Sequence, residues 1–372
     1  MTAHTRSRGA YGPLIDQALN GLTNYSWTNH KGPDVFFGGG AEQFLPGSGS
    51  YLRKDYYAEF AKKGYSISLN KTSLAKASNS SRALGVFCTS NLPVWLDRNI
   101  FPDNLKNQTN DPAGNRTAAT DLPGLKEMTL KAVDVLHTRG GDKGFFLMAE
   151  AASIDKQMHA LDYDRALGDL MELDDTLQAV IAKLRALGEL DRTLIVVSAD
   201  HGHGFDVFGN ADTKYLAEQT DARKKRNAVG VYQNSGLSQY QVAPPGGVSY
   251  GTGPGFPLQW DPRYAIAPGF GANPDHRENY KLHKTPRVPA TNTTGFASDN
   301  YFVSPSDSPD GFVVNGTLPT VESQGVHSLT DVPVYALGPC QELFGGTYGN
   351  IDIFYKIADC LGLGQPTNKT VT

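Results

Sequence analysis

Two short apolar runs, GFFLMAE (144–150) and TLIVVSAD (193–200), flank a long segment of helical periodicity. Runs of that length, bounded by turns or charges, read as buried parallel strands. Between them Leu167, Leu170, Leu173, Leu177, Val180, Ile181 and Leu184 recur at steps of three and four, which predicts one long amphipathic helix. Strand, helix, strand is a right-handed crossover unit. It predicts an α/β fold: a central, mostly parallel sheet with helices on both faces.

Other segments fit this scheme. PDVFFGGG (33–40) reads as a strand ending in a glycine turn, YYAEFAKKGY (56–65) as a helix and YSISL (65–69) as a strand. LPGLKEMTLKAVDVLH (122–137) reads as a helix with Pro123 in its first turn, DVPVYALG (331–338) as a strand, and NIDIFYKIADCLGL (350–363) as a closing helix. Residues 204–325 lack periodicity and are rich in Gly, Pro, Asn and Tyr. So long a stretch is unlike a plain loop. It predicts a surface insertion over the active site or at a subunit contact, carried by a core of residues 1–203 and 326–372.

Composition excludes several partners. A net charge of −4 gives no footprint for nucleic acid or an anionic membrane. No apolar run approaches the roughly 18 residues that cross a bilayer. Three cysteines, Cys88, Cys340 and Cys360, cannot build a dense disulfide framework. Free thiols and a Cys340–Cys360 bridge are both open. N-x-S/T sequons at Asn24, Asn70, Asn79, Asn107, Asn115, Asn292, Asn315 and Asn368 point to a secreted or vacuole-lumenal history, although no signal peptide is visible.

The chemistry-bearing residues gather where the predicted strands end. Asp155 and His159 are four apart on a short predicted helix, so both face one side, and carboxylate oxygen and imidazole nitrogen are both zinc ligands. Glu150 closes the first predicted strand; Asp200 and His201 follow the second, in SADHGHG. In open parallel sheets ligands bind beyond the carboxyl ends of the strands. His327, just before the strand 331–338, reaches the same edge. Asp155, His159 and His327 give one zinc three ligands and an open fourth position. Asp200 and His201 begin a second site, and Glu150 suits Mg²⁺. Two zinc ions about 4 Å apart suit in-line phosphoryl transfer. His203 reads as a supporting or surface histidine, and His4, His30, His137, His276 and His283 as structural or surface groups. FFGGGAEQF lacks the Lys-Ser/Thr end of a phosphate loop, so it reads as a tight turn.

These motifs, in this order, resemble the alkaline phosphatase family. AEAASIDKQMH resembles the segment carrying the magnesium glutamate and two ligands of the first zinc. TLIVVSADHGH resembles the strand and Asp-His pair of the second zinc, and VHSLTDVPVYALGP the segment with the last histidine of the first. DVFFGGG, AHTRSRGAYGP and the closing helix also match. The resemblance implies phosphate-monoester hydrolysis at a two-zinc plus magnesium site, small phosphate esters as partners, and, since the family commonly dimerises, a homodimer. It implies phosphate-binding roles for Arg8, through a forked guanidinium, and for Lys156.

The resemblance also implies residues that the sequence lacks. The family's serine nucleophile lies in an Asp-Ser-Ala motif upstream of the arginine segment, and no Asp-Ser-Ala occurs in the 372 residues. Asp307-Ser308 runs on into Pro309 and makes a poor replacement. A carboxylate of the second zinc and most of the magnesium site are absent too. The expectation is a chain truncated at its N-terminus. Two other readings stand beside hydrolysis: a zinc-binding chain that does not turn over, and a related phosphodiesterase or sulfatase.

Overall fold

The computed structural model describes residues 5–21, 31–47, 49–204, 218, 220, 276–278, 283–288, 291–292, 302–303, 312–314 and 324–363. The first layer is a three-stranded parallel sheet. Its strands β1 (Val35–Gly38), β2 (Tyr65–Ser68) and β3 (Arg82–Val86) lie in the order β1-β3-β2, with Phe36 opposite Leu84 and Ile67 opposite the same residue. The central strand is apolar and buried along Ala83–Val86. One core cluster joins α1 (Tyr11–Asn20) and α2 (Tyr56–Lys62) to the sheet through Ile15, Leu19, Phe44, Phe60, Leu84 and Val86. A second gathers Leu74, Phe87, Leu105 and Leu122.

Local chemistry starts and stops the elements as their residues dictate. Asp55 caps α2 by accepting from the Ala58 N–H, and Asn70 caps α3 (Lys71–Lys76) in a reciprocal box with Ser73. The glycine turn after β1 is required by crowding. A Cβ on Gly39 would sit 2.0 Å from the Ser90 carbonyl oxygen, and Gly40 has φ +90°. Short helices α4 (Trp95–Asn99) and α5 (Asp103–Lys106) follow. The predicted helix 122–137 forms as α6 (Leu125–Gly140), so Pro123 precedes it rather than opening it.

The helix α7 (Ser153–His159) leads into α8 (Tyr163–Leu187), which packs on α4, α6 and α7. Asp162 caps α8 through the Arg165 N–H. The face that α8 buries follows the predicted leucine stripe only in part: Leu184 is buried and Leu167, Leu173, Leu177, Val180 and Ile181 are half-buried. Leu170 is 49% exposed, while Arg165, Asp169, Glu172 and Thr176 are buried. Those four also repeat at helical spacing, and each polar group has a partner. Arg165 pairs with Asp97 at 2.7 Å, Asp169 accepts from the Trp95 N–H at 3.1 Å, Glu172 pairs with Arg98, and Thr176 donates to the Glu172 carbonyl. Paired charges can be buried; unpaired ones cannot.

The predicted crossover is not formed. Residues 144–150 belong to no strand, and Phe146 and Met148 are exposed. β4 (Ile195–Ser198) pairs antiparallel with β11 (Val334–Leu337) in a sheet of two and β1 pairs with β3; among the described residues 144–150 makes a ladder with neither, and an apolar run without ladder hydrogen bonds is not a strand. Between these strands come β5 (Gly202–His203), β6 (His276–Glu278), β7 (Thr291–Asn292), β8 (Phe302–Val303), β9 (Phe312–Val314) and β10 (His327–Ser328). β6 pairs with β9 and β7 with β8, both antiparallel; most of the predicted insertion, 204–325, lies outside the described residues, as does Asp307-Ser308. The closing helix forms as α9 (Ile351–Cys360), and Cys340 is disulfide-bonded to Cys360, leaving Cys88 buried and free.

Asp169 yields a test of the buried polar face. Burial pushes its carboxyl up to about 6, helped by the nearby acids Glu172 and Asp97 and opposed by the Trp95 N–H and Arg98. An unfolded aspartate titrates near 3.8, so between these values the folded chain holds more protons. Stability therefore falls as pH rises through that window and stays lower above it. Asp169→Asn keeps an oxygen for Trp95 and removes the charge. It is expected to stabilise the protein on the order of 1–2 kcal/mol at pH 8, with no gain at pH 4. Denaturant melts of both proteins at the two pH values check this.

Candidate metal centre

Three pieces of local structure bring one set of donor atoms together. α7 supplies Asp155 and His159 one turn apart, with Asp155 Oδ1 3.4 Å from His159 Nε2. The antiparallel register of β4 against β11 sets Ser198 opposite Val334, so the residues after β4 lie beside those before β11. The short β5–β10 ladder then pairs His203 with His327 and Gly202 with Ser328. His327 thereby reaches Asp155 Oδ1, with its Nε2 2.9 Å away.

One ligand atom each from Asp155, His159, His203 and His327 lies within 4.8 Å of the others. His203, expected to be a supporting or surface group, is only 8% exposed at its side chain, and its Nε2 stands 3.8 Å from Asp155 Oδ1. The signal that could have found it is the second histidine of DHGH, which follows the first by two and so shares its side of an extended chain. His201 sits at the rim. Its Nε2 is 3.7 Å from Asp155 Oδ1 and 3.4 Å from Asp200 Oδ2, and its ring stacks on that of His327 at 3.5 Å between centroids.

His159 Nδ1 donates to the Gly325 carbonyl oxygen at 2.6 Å, which turns Nε2 toward the cluster. His159 Nε2 and His327 Nε2 are 3.1 Å apart. His203 is held at about 4, far below an ordinary imidazole, by burial first and by the adjacent His159; the Asp155 charge opposes both. It is neutral at pH 7. Asp155 Oδ1 and both ring nitrogens of His203 are buried without a hydrogen-bond partner among the described residues. Orphaned polar atoms facing one point are costly unless something positive occupies it.

The remaining predicted site residues stand apart. Glu150 is exposed and makes no hydrogen bond or ion pair among the described residues, and the Asp200 side chain is 82% exposed. Arg8 lies exposed in the turn before α1, with no contact to the cluster among the described residues. Lys156 reaches solvent from α7, yet the protein around it lowers its pKa, with the nearby Cys88 thiol acting in the opposite direction. It therefore sits beside the end of β3.

The alkaline phosphatase family pattern matches residues 1–248. The chain belongs to the alkaline phosphatase family. It is 32% identical to alkaline phosphatase H of Pseudomonas aeruginosa over 224 residues, 56% of this chain and 46% of that protein. It is 30% identical to the alkaline phosphatase of Escherichia coli over 254 residues, 63% of this chain and 52% of that one. The chain thus spans about half the length of these relatives. Its fold is like that of the Thermus thermophilus alkaline phosphatase crystal structure, with a TM-score of 0.54 and 19% identity over 97% of this chain and 67% of that one.

Within this alkaline phosphatase family member, imidazole and carboxylate donors of this kind suit zinc, which accepts N and O ligands. The expectation is one tight zinc per chain. His327→Ala, which removes the nitrogen nearest Asp155, is expected to weaken it by at least tenfold. Zinc titration against a chromogenic chelator reads both values, and equal affinity in the variant would place the ion elsewhere.

Proposed function

We propose that these residues are the metal-holding part of a site that hydrolyses phosphate monoesters at two zinc ions and one magnesium. The convergence of Asp155, His159, His203 and His327 in an alkaline phosphatase family member carries this reading. Asp155, His159 and His327 hold the first zinc, with His203 packed against them. Asp200 and His201 serve the second, and Glu150 the magnesium. Bound there, the ions supply Lewis-acid stabilisation of the attacking and leaving oxygens.

The chain's own groups do the rest. Arg8 has the forked geometry that grips two oxygens of a phosphate dianion, and Lys156 offers a point charge from the helix that carries Asp155. Both favour a monoester over the single charge of a diester. The Gly325 carbonyl fixes the His159 tautomer, so the ligand does not exchange its proton during turnover. The Cys340–Cys360 bridge and the sequons support a secreted or lumenal setting.

One observation favours a second reading. No Asp-Ser-Ala motif occurs in the 372 residues, so this stretch on its own binds zinc without turning substrate over. Hydrolysis of p-nitrophenyl phosphate by the chain as given, with zinc and magnesium, separates the readings when run beside His327→Ala. The expected result is bound zinc, zinc-dependent binding of inorganic phosphate, and no turnover above the variant. Turnover that vanishes in the variant would mean that a nucleophile lies within these residues. Absence of phosphate binding to the zinc-loaded chain would remove the phosphatase reading.

A further inference from the structure

Two residues beyond His159 the backbone passes through a conformation that leucine rarely adopts. Leu161 has φ +56° and is 4% exposed. A left-handed, β-carbon-bearing residue persists only where its surroundings fix it, and such residues gather at functional sites. Here the fixing group is known. Arg287 donates from Nη1 to the Leu161 carbonyl at 2.8 Å and from its backbone N–H to Asp162 Oδ2 at 2.9 Å. Both Arg287 and Asp162 are buried.

Arg287 belongs to a short strap, 283–288, that is itself tied down. The fully buried Arg165 donates to the His283 and Lys284 carbonyls at 3.1 and 3.0 Å, and to Asp162 Oδ2 at 3.1 Å. Asn104 adds a bond to the Lys284 carbonyl at 2.7 Å. On the other side, the Gly325 N–H donates to the His159 carbonyl at 2.9 Å. Gly325 can approach because it has no side chain: a Cβ there would lie 2.8 Å from the Met158 carbonyl oxygen. The end of α7 is thus gripped from two sides.

We propose that Arg287 is a positioning residue for the zinc centre. By holding the Leu161 carbonyl in the left-handed turn, it sets where α7 stops and in which direction His159 presents Nε2. The inference rests on the zinc reading above. Released from Arg287, Leu161 relaxes to the ordinary negative φ, the last turn of α7 rotates, and His159 leaves its alignment with Asp155. Ligand sites respond steeply to lost supporting bonds, by roughly 10–100-fold in metal affinity.

The test compares the chain with Arg287→Gln and Arg287→Lys in zinc affinity, in the visible absorption of the Co²⁺-loaded form, and in thermal unfolding without metal. Arg287→Gln is expected to weaken zinc by roughly 10–100-fold and to change the Co²⁺ bands. Arg287→Lys, which keeps a charged donor for the Leu161 carbonyl, is expected to regain most of the affinity. A folded Arg287→Gln protein with wild-type zinc affinity and Co²⁺ spectrum would overturn the inference. Should Arg287→Gln fail to fold, Asn104→Ala carries the test by loosening the strap at its edge: several-fold weaker zinc supports the inference, and unchanged zinc overturns it. Failure of the unaltered chain to bind zinc would remove the zinc reading itself, whereas zinc bound equally by chain and variants removes only the role of Arg287.

Discussion

Four donor atoms, one each from Asp155, His159, His203 and His327, crowd within 4.8 Å of one another, and holding them there organises this end of the molecule. His159 Nε2 and His327 Nε2 lie 3.1 Å apart, and the Gly325 carbonyl has already claimed the proton at His159 Nδ1. Asp155 Oδ1 stands among them with no hydrogen bond of its own. A fold can hold such an arrangement only by spending rigidity on it, and the surrounding elements supply that rigidity. The β4–β11 ladder and its short continuation β5–β10 fix two histidines, α7 fixes two ligands one turn apart, and Gly325 stitches the two pieces together.

The parts of this arrangement that depend on local spacing were legible in the sequence. Asp155 and His159 needed only helical periodicity, and β4 and β11 needed only short apolar runs. What was not legible depends on who pairs with whom. The run 144–150 has the composition of a buried strand, but strand status is a property of pairing, and among the described residues the run pairs with neither β1 nor β4. The same holds for His203. Its burial is decided by a ladder to His327, far away in sequence, and locally the two-residue step from His201 was the signal that hinted at it.

The long helix α8 shows the limit from another direction. Its leucines repeat with the period of a buried stripe, yet of them Leu184 alone is buried, while Arg165, Asp169, Glu172 and Thr176 are buried beside Ala166 and Gly168. Hydrophobic periodicity assumes that polar side chains prefer water. That assumption fails when each has a partner waiting, and Asp97 and Arg98 on α4 are those partners. Such pairs are seldom retained for stability alone, because well-packed apolar groups of the same volume serve as well. They are directional, however, and direction is what the turn between α7 and α8 requires. Arg165 uses its whole fork to orient Asp162 and the strap that holds the strained Leu161.

The two kinds of metal-site residue are therefore built differently. The carboxylates proposed for the second zinc and for magnesium, Asp200 and Glu150, stand largely in solvent, Asp200 in contact with His201 at 3.4 Å. Of the groups proposed for the first zinc, Asp155, His159 and His203 are half-buried, and Asp155 Oδ1 and the His203 nitrogens lack hydrogen-bond partners among the described residues, so an ion there would offset the cost of burying them. By linkage, an ion bound at either kind of position would stabilise the fold in proportion to its affinity. The strained turn and the buried arginines stand behind His159 and not behind Asp200 or Glu150.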